Sequence, residues 1–148
     1  MDLHEGEISG TNSICISQLP KNFFFSSMDA AQLLSGAKKC ALIRSPQYDA
    51  QEGWVSAAAQ SGCAIVFGVC DAARLAGFKK AILVSKMRML VAMCKKYGAK
   101  ICVCSLAQKE YEARNEHERL CFAMYLGLER KEAKEAVGLL GKKLKVVQ

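Results

Sequence analysis

One stretch, residues 77–105 with the sequence GFKKAILVSKMRMLVAMCKKYGAKICVCS, constrains the fold more than any other part of the chain. Its apolar positions recur with helical spacing and predict an amphipathic helix with one core-facing stripe. That stripe consists of Leu83, Met87, Leu90, Val91 and Cys94. Gly98 can adopt the left-handed conformation that ends a helix, and residues 101–104 form a short apolar run typical of a buried strand. A helix that leads into such a strand indicates an α/β architecture.

The predicted helix is strongly basic on the side away from its core. Seven basic residues and no acid occur between positions 79 and 100, with Arg88, Lys95 and Lys96 opposite the apolar stripe. Residues 75–148 contain sixteen of the 21 Lys and Arg residues but only seven of the 14 acids. A positive field concentrated in one half of a chain attracts polyanions. The charge therefore favours nucleic acid as a partner, with a solvated basic surface as the alternative.

Elsewhere, apolar runs alternate with helical patterns. From position 40 onward we predict strand 40–43, helix 49–60, strand 63–69, the basic helix, strand 101–104 and two helices that begin near positions 116 and 129. Before them, we predict a strand at residues 13–17 and a short helix at residues 28–34, capped by Ser27 and ended by Gly36. Repeated strand–helix units predict a parallel sheet, either doubly wound or a (β/α) barrel.

The helix near position 116 has a clear start signal. Asn115 and Glu118 have the spacing of a capping box, in which each side chain binds the backbone amide of the other residue. From this start, the pattern predicts that the helix buries Leu120, Cys121, Met124 and Tyr125 and stops at Gly127.

Cysteine usage and hydropathy favour a protein of the cytoplasm. The eight cysteines include no CxxC pair and lie mostly in apolar runs, so we expect reduced core thiols. No window reaches the roughly 18 uncharged apolar residues of a membrane helix. The amino terminus is polar and acidic, unlike a signal peptide. A cytoplasmic location without membrane contact is therefore expected.

Motifs of enzymatic chemistry are missing from the sequence. GxSxG, GxxxxGK[ST], GxGxxG and HExxH do not occur, and His117 is predicted to lie on the surface beside acids. We therefore predict no catalytic residue, no metal and no cofactor. In the predicted loop at residues 70–74, Arg74 either contacts a phosphate or pairs with Asp71 at the start of a short helix. A metal-dependent phosphoesterase with Asp2, His4 and Asp71 as ligands is a weaker hypothesis, because the chain has two histidines.

Several short motifs occur in a fixed order in the second half of the chain. They are Lys95-Lys96-Tyr97-Gly98, a strand that ends at Ser105 and Ala107, Arg114-Asn115 followed by Glu118, Leu126-Gly127-Leu128, and a helix with Ala133, Ala136 and Val137. In this order, residues 77–138 resemble the carboxyl-terminal part of RNase P protein component 3, an archaeal and eukaryotic family. Residues 54–71 are similar more loosely. One departure is Glu116, which stands where the family usually has proline.

The resemblance implies a TIM-type barrel. Because 148 residues are too few for eight strand–helix units, we expect a reduced or incomplete (β/α) barrel of about five parallel strands in a single domain, residues 1–148, with a shortened amino-terminal half. An exposed strand edge would then remain for a partner or a second copy to cover.

The resemblance also implies a non-catalytic subunit of ribonuclease P, whose RNA cuts the 5′ leader from precursor tRNA. The expected partners are the RNase P RNA and component 2, two copies of each protein forming a heterotetramer, with precursor tRNA as an indirect partner. Under this hypothesis, basic side chains contact RNA phosphates. They are Lys79, Lys80, Arg88, Lys95, Lys96, Arg74 and Arg114. A protein-interaction module of barrel type is the alternative.

Overall fold

The computed structural model of the chain describes residues 1–6, 8 and 12–147 and has an α/β architecture. Four parallel strands form one sheet, in the spatial order β3 (Phe24–Ser26), β4 (Leu42–Arg44), β5 (Ala64–Gly68) and β6 (Lys100–Cys104). A second parallel pair consists of β1 (Asp2–His4) and β2 (Ser13–Cys15). The predicted α/β class with parallel strands is confirmed.

The pair β1–β2 is a separate sheet that is joined by backbone hydrogen bonds to the segment after β6. The Leu106 amide donates to the Leu3 carbonyl at 2.9 Å, and the Glu5 amide donates to the Ala107 carbonyl at 2.9 Å. The described residues thus contain six strands, one more than expected, in two sheets, β3-β4-β5-β6 and β1-β2, that these backbone bonds link in series. The outer strands of this series, β2 and β3, are not paired with each other in the described part. Residues 1–6, 8 and 12–147 therefore do not form a closed barrel.

Six α-helices connect and cover the strands in the described residues. They are α1 (Ala30–Ala37), α2 (Glu52–Ser61), α3 (Val69–Ala73), α4 (Gly77–Tyr97), α5 (Glu116–Tyr125) and α6 (Arg130–Val147). Two short 3₁₀ turns lie at Ile16–Gln18 and Glu110–Glu112. Within the described part, none of these helices has the length and apolarity needed to cross a membrane.

Both faces of the sheet are covered, and alternate strand residues enter two different cores. Ile65 and Phe67 of β5 pack in the core formed with α1, α2 and α4. Ala64 and Val66 of the same strand pack in the second core with Leu3 and the end of α6. Because side chains alternate across a sheet, a strand buried on both sides needs an uninterrupted apolar sequence. This is why residues 63–69 contain no polar side chain.

Helix α4 forms where the sequence predicts it. Met87, Leu90, Val91 and Cys94 are buried, and Val84 joins them, while Leu83 is only partly buried. Gly98 ends the helix with φ of 72°, in the left-handed region that favours glycine. The buried stripe thus begins at Val84, one position later than predicted.

Helix α1 begins and ends later than predicted. Its cap is Asp29, whose carboxylate accepts the Ala31 amide at 2.9 Å, whereas Ser27 accepts the Asp29 amide. Gly36 lies inside the helix and does not end it. A Cβ atom at Gly36 would overlap the ring of Phe25, so this glycine allows a close approach of helix and strand.

Helix α5 has the predicted capping box but buries a different face. The side-chain oxygen of Asn115 accepts the Glu118 amide at 2.8 Å, and the Glu118 carboxylate accepts the Asn115 amide at 2.8 Å. Leu120 is partly buried, but the prediction for the other three apolar residues is wrong, since Cys121, Met124 and Tyr125 are exposed. The helix packs through Arg119 and Ala123 instead. The pattern failed because a buried, paired arginine resembles a surface residue in sequence.

Candidate functional site

The carboxyl ends of the strands carry a network of charged side chains, with Arg44 at its centre. Arg44 ends β4, and its guanidinium lies 2.6 Å from the Glu5 carboxylate and 2.6 Å from the Asp71 carboxylate. The Arg44 side chain is 13% exposed. Burial opposes the charge, but the attraction and hydrogen bond of Asp71 outweigh it and raise the pKa of Arg44 above its ordinary value. Arg44 therefore links three segments as a permanent cation.

Tyr48 also belongs to this network, through its contact with Asp71. Its side chain is fully buried, its hydroxyl donates to Asp71, and the same hydroxyl accepts the Gly68 amide at 2.9 Å. Burial raises the pKa of Tyr48 well above its usual value, so the phenol remains a neutral donor. The Tyr48 backbone has φ of 53°, which is uncommon for a bulky residue. The Tyr48 amide donates to the Ser45 carbonyl at 3.0 Å.

Arg74 lies at the end of a short helix, so the prediction of a loop at residues 70–74 is wrong. Its guanidinium binds the Glu112 carboxylate through two bonds of 3.0 and 3.1 Å and donates to the Leu106 carbonyl at 2.9 Å. Asp71 lies 3.8 Å away, which agrees with the predicted alternative of a helix with an Asp71–Arg74 pair. The bonds from Arg74 and from the Gln108 amide lower the pKa of Glu112 to about 2.

A second buried cluster surrounds Asp2. The Asp2 carboxylate accepts the Ser105 amide at 2.8 Å and the Ser105 hydroxyl, and it lies 3.4 Å from the Arg119 guanidinium. His4 lies 3.6 Å from the same carboxylate, and burial lowers the pKa of its imidazole. This cluster fastens β1 to the end of β6 and to α5.

The hypothetical metal ligands are occupied by other partners. Asp2 and His4 are close together, but Asp71 is bound by Arg44 and Tyr48. Across residues 1–6, 8 and 12–147, no three His, Cys, Asp or Glu side chains are grouped so that they could hold a metal ion.

The cysteines have the environment of core residues. All eight are free thiols, and most are buried. Burial raises the pKa of Cys63 and of Cys94 to about 12, and that of Cys70 to about 11. These three thiols stay protonated at neutral pH, which makes them poor nucleophiles.

Two of the predicted RNA-binding residues on α4 contact the connection between α5 and α6. The Arg88 guanidinium lies over the Tyr125 ring at 4.5 Å and donates to the Tyr125 carbonyl at 2.9 and 3.1 Å. Lys95 donates to the Gly127 carbonyl at 3.0 Å and lies 2.9 Å from the Glu132 carboxylate. Both side chains bind carbonyl oxygens at the carboxyl end of α5, and Lys95 also pairs with an acid in the first turn of α6. Sequence reasoning missed these partners because they lie more than 30 positions away.

The remaining predicted RNA-binding residues make fewer contacts with the rest of the chain than Arg74, Arg88 and Lys95 do. Lys79 and Lys80 are exposed at the start of α4, and Lys96 is exposed near its end with its ammonium 5.2 Å from the Tyr97 ring centre. Arg114 is partly buried, and its amide donates to the Ser105 hydroxyl at 2.9 Å. Because α4 follows α3 at the carboxyl end of β5, Lys79 and Lys80 lie at the same end of the sheet as Arg114. Lys96 lies at the opposite end.

A groove of about 450 Å³ lies at that opposite end, between α4, β6 and α6. Its lining includes the apolar residues Ile101 and Leu128 and the Lys95–Glu132 ion pair. The groove is thus separate from the charged network around Arg44.

Comparisons with known proteins agree with the resemblance found in the sequence. No protein-family model matches the chain. It is 28% identical over 107 residues to Ribonuclease P protein component 3 of Methanosarcina mazei, a match that covers 70% of this chain and 45% of the relative. Its fold matches a chain in the cryo-EM structure of archaeal Ribonuclease P with mature tRNA, with a TM-score of 0.73 and 15% identity, over 82% of this chain and 55% of the other. The chain spans about half the length of these relatives, and its similarity to RNase P protein component 3 is confirmed.

Proposed function

We propose that the chain is a non-catalytic protein subunit of ribonuclease P that supports the catalytic domain of the RNA during removal of 5′ leaders from precursor tRNA. The similarity to component 3 over 107 residues is the observation that carries this proposal. Its partners would be the RNase P RNA and the component 2 protein, with two copies of each protein. Such a subunit would act in the cytoplasm.

The strand order supports a reduced barrel as the framework of this subunit. The six described strands form two parallel sheets, β3-β4-β5-β6 and β1-β2, and backbone bonds link β1 to the segment after β6. Helices α1, α2 and α4 cover one face, while Leu140 and Leu144 at the end of α6 pack on the other. We infer an incomplete (β/α) barrel that is open between β2 and β3, whose outer edges are available for pairing.

A scaffolding role agrees with the internal ion pairs of the charged network around Arg44. The carboxylates of Glu5, Asp71 and Glu112 are each bound by Arg44 or Arg74. Groups held in this way position segments of the chain and neutralise one another. The network therefore fits a structural task better than proton transfer to a substrate.

The proposed RNA contacts divide into two groups by geometry. Lys79, Lys80, Lys96 and Arg114 would contact phosphates directly, because their charged ends are not used in ion pairs within the described part of the chain. Arg74, Arg88 and Lys95 are already bound within the chain, and they would contribute mainly to the long-range positive field.

The proposal is tested by reconstitution of precursor-tRNA cleavage. The assay contains RNase P RNA and component 2 at low magnesium, with and without this chain. Stimulation that requires both proteins is expected. Lys79→Ala with Lys80→Ala should reduce the stimulation, whereas Lys131→Ala with Lys134→Ala, the same charge change on the exposed face of α6, should not. A folded chain that gives no stimulation would refute the proposal.

A further inference from the structure

The exposed face of α5 holds a histidine and a cysteine whose side chains are in contact. His117 and Cys121 are four positions apart, so they lie one above the other on the same side of the helix. The Nε2 atom of His117 lies 3.6 Å from the Sγ atom of Cys121, and both residues are exposed. Of the eight free cysteines, Cys121 is the exposed one. Ions in the solvent can therefore reach this pair, unlike the buried thiols.

The two side chains are also uncommitted to other groups. Within residues 1–6, 8 and 12–147, neither His117 nor Cys121 has a further hydrogen bond or an ion pair. The neighbouring acid Glu118 is engaged elsewhere, since its carboxylate accepts the Asn115 amide. In this respect the pair differs from Asp2, which Ser105 and Arg119 already bind. The imidazole nitrogen and the thiol are thus free to bind a ligand together.

The distance between the two atoms suits joint ligation of a zinc ion. Zinc bonds are about 2.3 Å long to a cysteine sulfur and about 2.0–2.1 Å long to a histidine nitrogen. With these bond lengths, two atoms that are 3.6 Å apart subtend an angle of about 110° at the ion. Zinc prefers tetrahedral coordination, which has nearly this angle. The helix therefore holds the pair at the separation that zinc requires.

Two protein ligands make an open site. In the described part of the chain, no third His, Cys, Asp or Glu side chain is grouped with this pair. Because both residues face solvent, water is available for the remaining coordination positions. Thiolate and imidazole ligands favour zinc over magnesium and calcium, which prefer oxygen ligands. The ligand set thus selects zinc even where magnesium is abundant.

We propose that His117 and Cys121 form a surface site for a zinc ion, in which the imidazole and the thiolate supply two ligands and water supplies the others. The Cys121 thiol loses its proton to the solvent when the zinc–sulfur bond forms. The inference goes beyond the proposed function and does not depend on it, because the pair lies outside the charged network around Arg44 and outside the predicted RNA-binding residues.

The test titrates the full chain, kept reduced, with zinc chloride by calorimetry. One zinc ion per chain is expected, with release of a proton that is measured by comparing buffers of different ionisation enthalpy. His117→Ala and Cys121→Ser should each lower the affinity by about ten-fold or more, since losing even a residue that only orients a zinc ligand costs about 10–100-fold. Cys40→Ser, at a partly exposed cysteine outside α5, is the matched control and should bind zinc like the wild type. An excess of magnesium chloride should not displace the zinc.

Alkylation by iodoacetamide, mapped by mass spectrometry, locates the bound ion. Cys121 should react faster than the buried Cys63 and Cys94, and zinc should slow its reaction in the wild type more than in His117→Ala. Equal zinc affinities of the wild type and both α5 variants would overturn the inference. Alkylation of Cys121 at the same rate with and without zinc would overturn it as well. Cleavage of precursor tRNA is a separate measurement, so either result leaves the proposed function standing.

Discussion

The Nη2 atom of Arg44 lies 2.6 Å from the Oδ1 atom of Asp71, across 27 positions of sequence. This pair joins the end of β4 to α3, and both side chains are largely buried. The carboxyl end of the sheet is thus held by charge and not by apolar contact alone.

Loss of the Arg44 guanidinium should therefore destabilise the fold strongly. We expect Arg44→Ala to lower the free energy of unfolding by about 3–5 kcal/mol, because the largely buried Asp71 carboxylate and the partly buried Glu5 carboxylate lose the cation that lies 2.6 Å from each. Urea unfolding measures this change. Lys86→Ala is the control, since Lys86 pairs with Asp49 at 3.0 Å and both side chains are about 40% exposed, closer to the surface pairs that contribute about 0–1 kcal/mol. Similar losses in the two variants would contradict the prediction.

The Tyr48 hydroxyl should contribute measurably to stability. Tyr48→Phe leaves the Gly68 amide and one Asp71 oxygen without this partner, so we expect a loss of about 1–3 kcal/mol in the free energy of unfolding. Hydrogen exchange of the Gly68 amide should also become faster. Tyr111→Phe, at a residue that is 75% exposed, should change stability by less than about 0.5 kcal/mol. An unchanged exchange rate at Gly68 would show that the hydroxyl bond is unimportant.

Acid should weaken the fold through Glu112. Its pKa is lowered from 4.5 to about 2 by Arg74 and the Gln108 amide, so it stabilises the folded state fully above its ordinary pKa. This stabilisation is lost as pH falls from about 4.5 toward 2. Melting temperatures measured across this range should converge for the wild type and Glu112→Gln. Glu135→Gln, which removes the same charge at an exposed position of α6, is the control measured over the same range.

Salt dependence should separate the two groups of cations. Lys79→Ala with Lys80→Ala should reduce the slope of log affinity for RNase P RNA against log salt by about 0.7–0.9 for each phosphate that the variant no longer neutralises. Arg88→Ala should change the slope less, because its guanidinium is bound to the Tyr125 carbonyl and ring. The reverse order of effects would place the RNA along the Arg88 flank of α4.

Local signals predicted several elements well. The end of α4 at Gly98 and the start of α5 at Glu116 depend on residues within a few positions of each other, so they can be recognised from sequence. The end of α1 was not recognised, because Gly36 is required by the distant ring of Phe25. The resemblance of residues 77–138 to component 3 also depended on motifs that are short and ordered along the chain.

The sequence predicted which residues belong to the candidate site, but not which residues of the chain each of them binds. The sequence by itself determined a basic, parallel α/β chain, because periodicity, capping and net charge are properties of neighbouring residues or of simple counts. Only the tertiary structure decided that Arg74 binds Glu112 and that Arg88 binds Tyr125. The physical reason is that ion pairs and burial depend on distances between segments far apart in sequence, which local patterns do not contain.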